Sequence, residues 1–176
     1  MFSQKEISYL KRQVNKGFTV IEVLVVVGII GMLTMAIYPS IRNSMETRRV
    51  ENEARDILAT MERAKFQAVK TKLNHRVRFF TENNNWYYIL ERENTSGQWA
   101  QMPRFIRKMI STDFVVNLDF PDQMVVFSAL GFIANYDSQK NKISLQSLKL
   151  KRYNQPDLRD IRVFAGGSIS YNKLES

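Results

Sequence analysis

Along this chain the spacing of the apolar residues changes twice, and each change marks a boundary. From Val23 to Ile41 the sequence VLVVVGIIGMLTMAIYPSI holds 19 consecutive uncharged residues and would be apolar on every face of a helix. At 1.5 Å per residue such a helix spans roughly 28 Å, close to the ~30 Å hydrocarbon thickness of a bilayer. Beyond Ile41 the chain turns polar, but its apolar positions keep a helical period. Val50, Ala54, Ile57, Met61, Ala64 and Ala68 form a stripe, with Leu58 alongside. Arg48, Arg49, Glu51, Glu53, Arg55, Glu62, Arg63 and Lys65 fall on the opposite face. The stripe lasts fewer than three heptads, which favours packing on the chain's own domain over a coiled-coil seam. No Gly or Pro occurs between Ser40 and His75, so both parts read as one long helix. From Phe18 to Lys70 it would measure about 80 Å if fully helical. Pro39 lacks an amide donor and crowds the preceding turn, so a kink is expected there. Gly28 and Gly31 are three apart and do not make a GxxxG dimer face.

From His75 the period becomes two. Arg76–Phe79 alternates, Asn83-Asn84-Asn85 supplies a turn, and Trp86–Leu90 returns as the second arm of a hairpin. Asn94-Thr95-Ser96-Gly97 closes it, and residues 98–110 read as a loop or short helical piece. Further strands are expected at 114–119, 124–128, 142–149 and 161–164. A last one, 168–171, follows the Ala165-Gly166-Gly167 turn. The fold class is therefore α+β: a long N-terminal α-helix, half membrane and half amphipathic, packed on a C-terminal antiparallel β-rich domain.

Charge orients this arrangement. Lys plus Arg number 26 against 17 Asp plus Glu, giving +9. Lys5, Lys11, Arg12 and Lys16 against Glu6 precede the apolar run, which predicts a cytoplasmic N-terminus and an exported C-terminal part. No small-residue cleavage site follows the run, so a permanent single-pass anchor is expected over a secretory signal. Glu22 stands immediately before the uncharged stretch. A carboxylate at that depth costs on the order of 2.5–3.5 kcal/mol unless it finds a partner. It either snorkels to the interface or meets a positive charge from another chain.

The chemistry available is sparse. With no cysteine and one histidine, disulfides, thiolate sites and a multi-histidine metal centre are excluded. No phosphate-binding, dinucleotide, metalloprotease or nucleophile-elbow motif is present, so no catalytic residue, metal site or cofactor is assigned and the chain reads as a non-enzyme. His75 reads as a solvent-facing or capping residue, and Asp119 and Asp122 as turn residues around Phe120-Pro121. The Asn94-Thr95-Ser96 sequon reads as a chance match within a turn.

The stretch Lys16-Gly17-Phe18-Thr19-Val20-Ile21-Glu22-Val23-Leu24, with Pro39 about twenty residues on, resembles the processing motif of type IV prepilins and pseudopilins. The resemblance implies cleavage between Gly17 and Phe18 by a prepilin peptidase and N-methylation of Phe18. It also implies that Glu22 serves as counter-charge to the N-terminal amine of a neighbouring subunit during assembly. Val125-Val126-Phe127-Ser128-Ala129-Leu130-Gly131, with Ile161-Arg162-Val163 and Gly166-Gly167-Ser168-Ile169, is similar to elements of GspH/FimT-type minor pseudopilins. On this resemblance residues 1–17 are a cytoplasmic leader that is removed and 18–41 a transmembrane and later filament-core helix. Residues 42–74 are the amphipathic helix and 75–176 the periplasmic β-rich domain. The implied role is a minor pilin or pseudopilin, a structural subunit built into, or priming, a type II secretion pseudopilus or a type IV pilus. The implied partners are the prepilin peptidase, other pilins and the inner-membrane assembly platform. The implied location is the bacterial inner membrane and then the filament.

Two other functions compete: a DNA-binding minor pilin for natural transformation, and a signal-anchored periplasmic enzyme or binding domain. Lys149, Lys151, Arg152, Arg159 and Arg162 are the candidate DNA contacts, with tyrosines nearby. Two considerations weigh against them. The last turn, Gly167-Ser168-Ile169-Ser170, lacks the Gly-Arg-x-Arg pattern of DNA-uptake members. Removal of the leader, four cations and one acid, lowers the charge of the mature chain from +9 to +6.

Overall fold

The computed structural model describes residues 17–152 and 157–175. Two compact units divide the chain, Met1–Arg42 and Asn43–Ser176, and the long helix α1 (Val20–Thr71) runs through both.

In the first unit every described side chain from residue 17 to 42 is exposed, apolar ones included. Thr34 ties its hydroxyl to the Ile30 carbonyl at 2.7 Å, and Arg42 lies over the Tyr38 ring at 5.6 Å. Among the described residues no single helix is long and apolar enough to cross a membrane. Val20–Met35 and Ser40–Thr71, separated by a short break that includes Pro39, meet the length and composition needed only as a pair. The continuous span expected over 23–41 is thus divided, and Val20–Met35 alone rises about 24 Å.

Among the described residues the second unit holds nine antiparallel strands. β1 (His75–Glu82), β2 (Asn85–Glu93), β3 (Trp99–Gln101), β4 (Lys108–Met109) and β6 (Met124–Phe127) form one sheet, ordered β3-β2-β1-β6 with β4 also on β2. β5 (Phe114–Asp119), β7 (Lys142–Ser147), β8 (Asp157–Val163) and β9 (Ile169–Glu175) form the other, in the order β5-β7-β8-β9. The apolar stripe of α1 closes the core between them. All six of its residues, Val50 to Ala68, are fully buried. They pack with Val77, Phe79, Tyr88 and Phe127 of the first sheet and with Ile143, Leu145, Ile161 and Val163 of the second. The stripe therefore serves the chain's own domain, as its length predicts.

Local chemistry accounts for most departures from the expected elements. Asn83 and Asn84 both have positive φ, 51° and 62°, as a two-residue hairpin turn requires, so Asn85 pairs with Glu82 and begins β2. The Asn94 side-chain carbonyl accepts from the amides of Ser96 and Gln98 and holds the turn into β3. Residues 98–110, expected as loop, thus contribute two short edge strands that pair with opposite ends of β2. The strand expected over 142–149 stops at Ser147. Its hydroxyl accepts from the Lys149 and Leu150 amides and caps a five-residue helix, α2 (Leu148–Arg152). Asp122 sits at φ 49° in a 3-10 turn after β5, and Asp119 ends that strand, as turn residues.

His75 corrects an expectation. It is fully buried, because the alternation His75, Val77, Phe79 points into the core. Its Nδ1 lies 3.0 Å from the Leu73 carbonyl, to which it donates, while Nε2 is buried without a partner.

The two sheets are joined at a glycine contact. Gly131 (φ +85°) and Gly167 (φ +76°) belong to the turns after β6 and β8, and these turns touch. A Cβ on Gly167 would run into the Gly131 carbonyl oxygen, and one on Gly131 would meet Val69 at 3.0 Å. Close by, the Ile133 amide donates to Ala165 at 3.0 Å.

Two outcomes follow for residues 43–176 unfolded by urea. Gly167→Ala loses about 2 kcal/mol or more, from positive φ plus collision, whereas Gly166→Ala, with open space around it, changes stability by less than about 1 kcal/mol. Equal effects would contradict the contact. The second outcome concerns pH. Burial holds the His75 imidazole below its ordinary value. The unfolded chain therefore takes up the proton first, near pH 6.5, and stability falls as pH drops below that point, by at most about 1.4 kcal/mol per pH unit. Glu53, raised by burial and by Asp56, works in the opposite sense at lower pH. His75→Asn isolates the histidine by flattening the slope just below about pH 6.5; an unchanged slope would place the titration elsewhere.

Candidate functional site

The N-terminal segment presents its residues in helical order. Phe18 is 86 % exposed and precedes Thr19, the residue before the first helical position. Thr19 and Glu22 satisfy one another. The Thr19 amide donates to Glu22 Oε2 at 3.0 Å, the Thr19 hydroxyl donates to the same oxygen at 3.1 Å, and the Glu22 amide donates to Thr19 Oγ1 at 3.3 Å. This reciprocal pair is a capping box, and Thr-x-x-Glu is its signature in sequence. The expectation weighed only charges as partners for Glu22 and missed the one three residues upstream. The box fixes the carboxylate at the positive end of the helix dipole. Oε1 accepts no hydrogen bond among the described residues. Gly17 and Phe18 carry no other structural constraint, with open space around Gly17. Lys16 and the rest of the leader lie outside the described residues.

Of the five basic residues named from the sequence, the three whose side chains are described, Lys149, Arg159 and Arg162, each meet different carboxylates. Lys149 pairs with Asp113 at 3.2 Å and Glu46 at 3.4 Å, and Arg49 joins both carboxylates. A hydrogen bond from Lys149 leads the interactions that hold the Asp113 carboxyl below its usual range. Arg159 is buried, with Nε 2.6 Å from Asp157 Oδ1 and a second bond from its other nitrogen to Oδ2 at 2.9 Å. It also donates to the Tyr171 hydroxyl at 3.0 Å. Burial opposes its charge, yet the Asp157 hydrogen bonds outweigh that and raise its pKa. The pair lies within β8, its bond to Tyr171 ties β8 to β9, and removing one partner would strand the other's charge. Arg162 lies 3.8 Å from Asp160 and is half exposed. The side chains of Lys151 and Arg152 lie outside the described residues.

A third polar group escaped sequence reading because its members come from different strands. On the outer face of the first sheet Glu91 accepts from Arg76 at 2.6 Å and from Arg78 at 3.1 Å. Burial works against the Glu91 charge, but the two guanidinium groups outweigh it and lower its pKa. Arg76 stacks over Trp99 at 4.2 Å, which locks β1 to β2 and β3. Among the described residues no three His, Asp or Glu side chains could together hold a metal ion.

A family model described as the prokaryotic N-terminal methylation motif matches residues 12–38, the segment that contains Gly17, Phe18 and Glu22. No curated protein matches the chain. Two solved structures share its fold. The minor pseudopilin EpsH from the Type 2 Secretion System of Vibrio cholerae aligns over 71 % of this chain and 97 % of its own, at 8 % identity and a TM-score of 0.52. The type IV minor pilin FimU of Pseudomonas aeruginosa strain PAO1 aligns over 72 % and 90 %, at 14 % identity and the same TM-score. The α+β architecture expected from the sequence is therefore that of minor pilin subunits. The chain thus joins an N-terminal methylation motif to a fold that it shares with a minor pseudopilin and a minor pilin.

Proposed function

We propose that the protein is a minor structural subunit of a type II secretion pseudopilus or a type IV pilus, not an enzyme. A prepilin peptidase cuts it after Gly17 and methylates the Phe18 amine, and α1 holds it in the inner membrane until it joins a filament or its priming tip. One observation carries this reading. The motif over residues 12–38 opens a helix whose first half is apolar all round, with every described side chain from 17 to 42 exposed. An apolar cylinder of that kind needs lipid or other helices as solvent, and a filament core supplies the second. Glu22 supports the same role. With Oε2 engaged by Thr19, Oε1 is available to the new N-terminal amine of a neighbouring subunit.

Mass spectrometry of the mature protein should find N-methylated Phe18 as its first residue. An intact Met1, or a cut near Ser40, would contradict the reading. The two tasks of Glu22 separate by substitution. Glu22→Gln keeps the capping hydrogen bonds but loses the charge. Its leader should be cut normally while its incorporation into filaments falls about ten-fold or more, as for Glu22→Ala. Wild-type incorporation of the Gln variant would reduce Glu22 to a helix cap.

A further inference from the structure

Five large apolar side chains stand exposed around the contact of the Gly131 and Gly167 turns. Phe66 and Val69 come from the last turns of α1, Leu130 and Phe132 flank Gly131, and Phe164 opens the β8–β9 turn. Phe66 is 61 % exposed, Leu130 74 % and Phe132 53 %. The glycines seat both turns against the helix beside these residues: a Cβ on Gly131 would meet Val69 at 3.0 Å, and one on Gly167 would meet the Lys65 stem at 3.4 Å. A groove of about 330 Å³ opens between Phe66, Val69, Ile169 and Gly167. Folded chains rarely leave so many large apolar groups together in water unless something covers them.

The rim indicates what does. Glu62, Arg63, Lys65 and Lys70 stand three or four positions from Phe66 and Val69 on the helix, and Lys72 lies just past its end. Lys70 lies 5.9 Å from the Phe66 ring, and none of the four cations pairs with a carboxylate among the described residues. Four cations thus border the patch against one acid. A second copy docked face to face would set like charge against like, so self-association is disfavoured. We propose that this face docks a different pilin-like subunit through an apolar protrusion bordered by carboxylates. The proposal rests on the filament reading above and adds the partner's chemistry and the surface that meets it.

The test places a photo-crosslinking phenylalanine derivative at position 132 of the full-length chain in cells assembling the filament, with the same probe at position 27 in a parallel strain. The expected product at 132 is a covalent adduct with another subunit bearing the methylation motif. The adduct should fall ten-fold or more in the Lys70→Glu/Lys72→Glu variant, both exposed positions, while the adduct at 27 and the processed N-terminus stay unchanged. Adducts at 132 only with a second copy, with lipid or with DNA would overturn the proposal. So would no adduct at 132 while position 27 still crosslinks, which leaves the filament reading standing. An uncut leader with no adduct at either position would overturn both.

Discussion

A single helix has to satisfy two different solvents, and the rest of the structure follows from that constraint. In the second half of α1 the apolar side chains lie on one stripe, and two antiparallel sheets cover it completely. In the first half the described side chains are exposed in every direction. Burying one Val or Leu side chain is worth about 1.5–3 kcal/mol, so more than a dozen uncovered apolar residues form a strong drive toward lipid or other helices. The sheets, the glycine junction and the buried Arg159–Asp157 pair make the second half independent of that drive. On the proposed function the domain would then keep its shape while the surroundings of the first half change from membrane to filament.

Glu22 sits where these demands meet. The Thr19–Glu22 box completes the first turn of the helix, so the carboxylate is fixed before any partner arrives. A fixed carboxylate loses less conformational freedom on pairing than a free one, and near lipid an unpaired one is costly. On the proposed function, helix start and docking charge would be the same residue. The patch at the far end of the helix is a second contact of different character, apolar with a cationic rim, so one subunit would be held by charge at one end and by burial at the other.

What the sequence made legible and what it hid differ in range. Features set by local spacing were readable: the stripe from Val50 to Ala68, the Asn83–Asn84 hairpin, and β5 at Phe114–Asp119. The Gly17-Phe18-Thr19-x-x-Glu22 motif was readable because chemistry fixes each position. The capping box was readable too, in Thr-x-x-Glu, but attention to charge hid it. Features set by non-local contact were not. β3 and β4 are two and three residues long and exist because β2 offers them an edge. His75 looked polar and therefore exposed, yet its place in the β1 alternation carries it inside. The Glu91–Arg76–Arg78 group and the Gly131–Gly167 contact join positions 13 to 36 apart in the chain, and only the sheet register shows that they meet. Basic residues that form a cluster in sequence, Lys149, Arg159 and Arg162, go to three different carboxylate environments in space.

Because the chain has no cysteine, single cysteines report the surroundings of α1 directly. Val27→Cys and Ala54→Cys in the full-length protein can be treated with a membrane-permeant thiol reagent before and after assembly. The account predicts that Val27→Cys is labelled in the membrane-held subunit and protected in the filament, while Ala54→Cys is protected in both. Equal labelling of Val27→Cys in the two states would contradict it, since the apolar half of the helix would then have gained no cover from assembly.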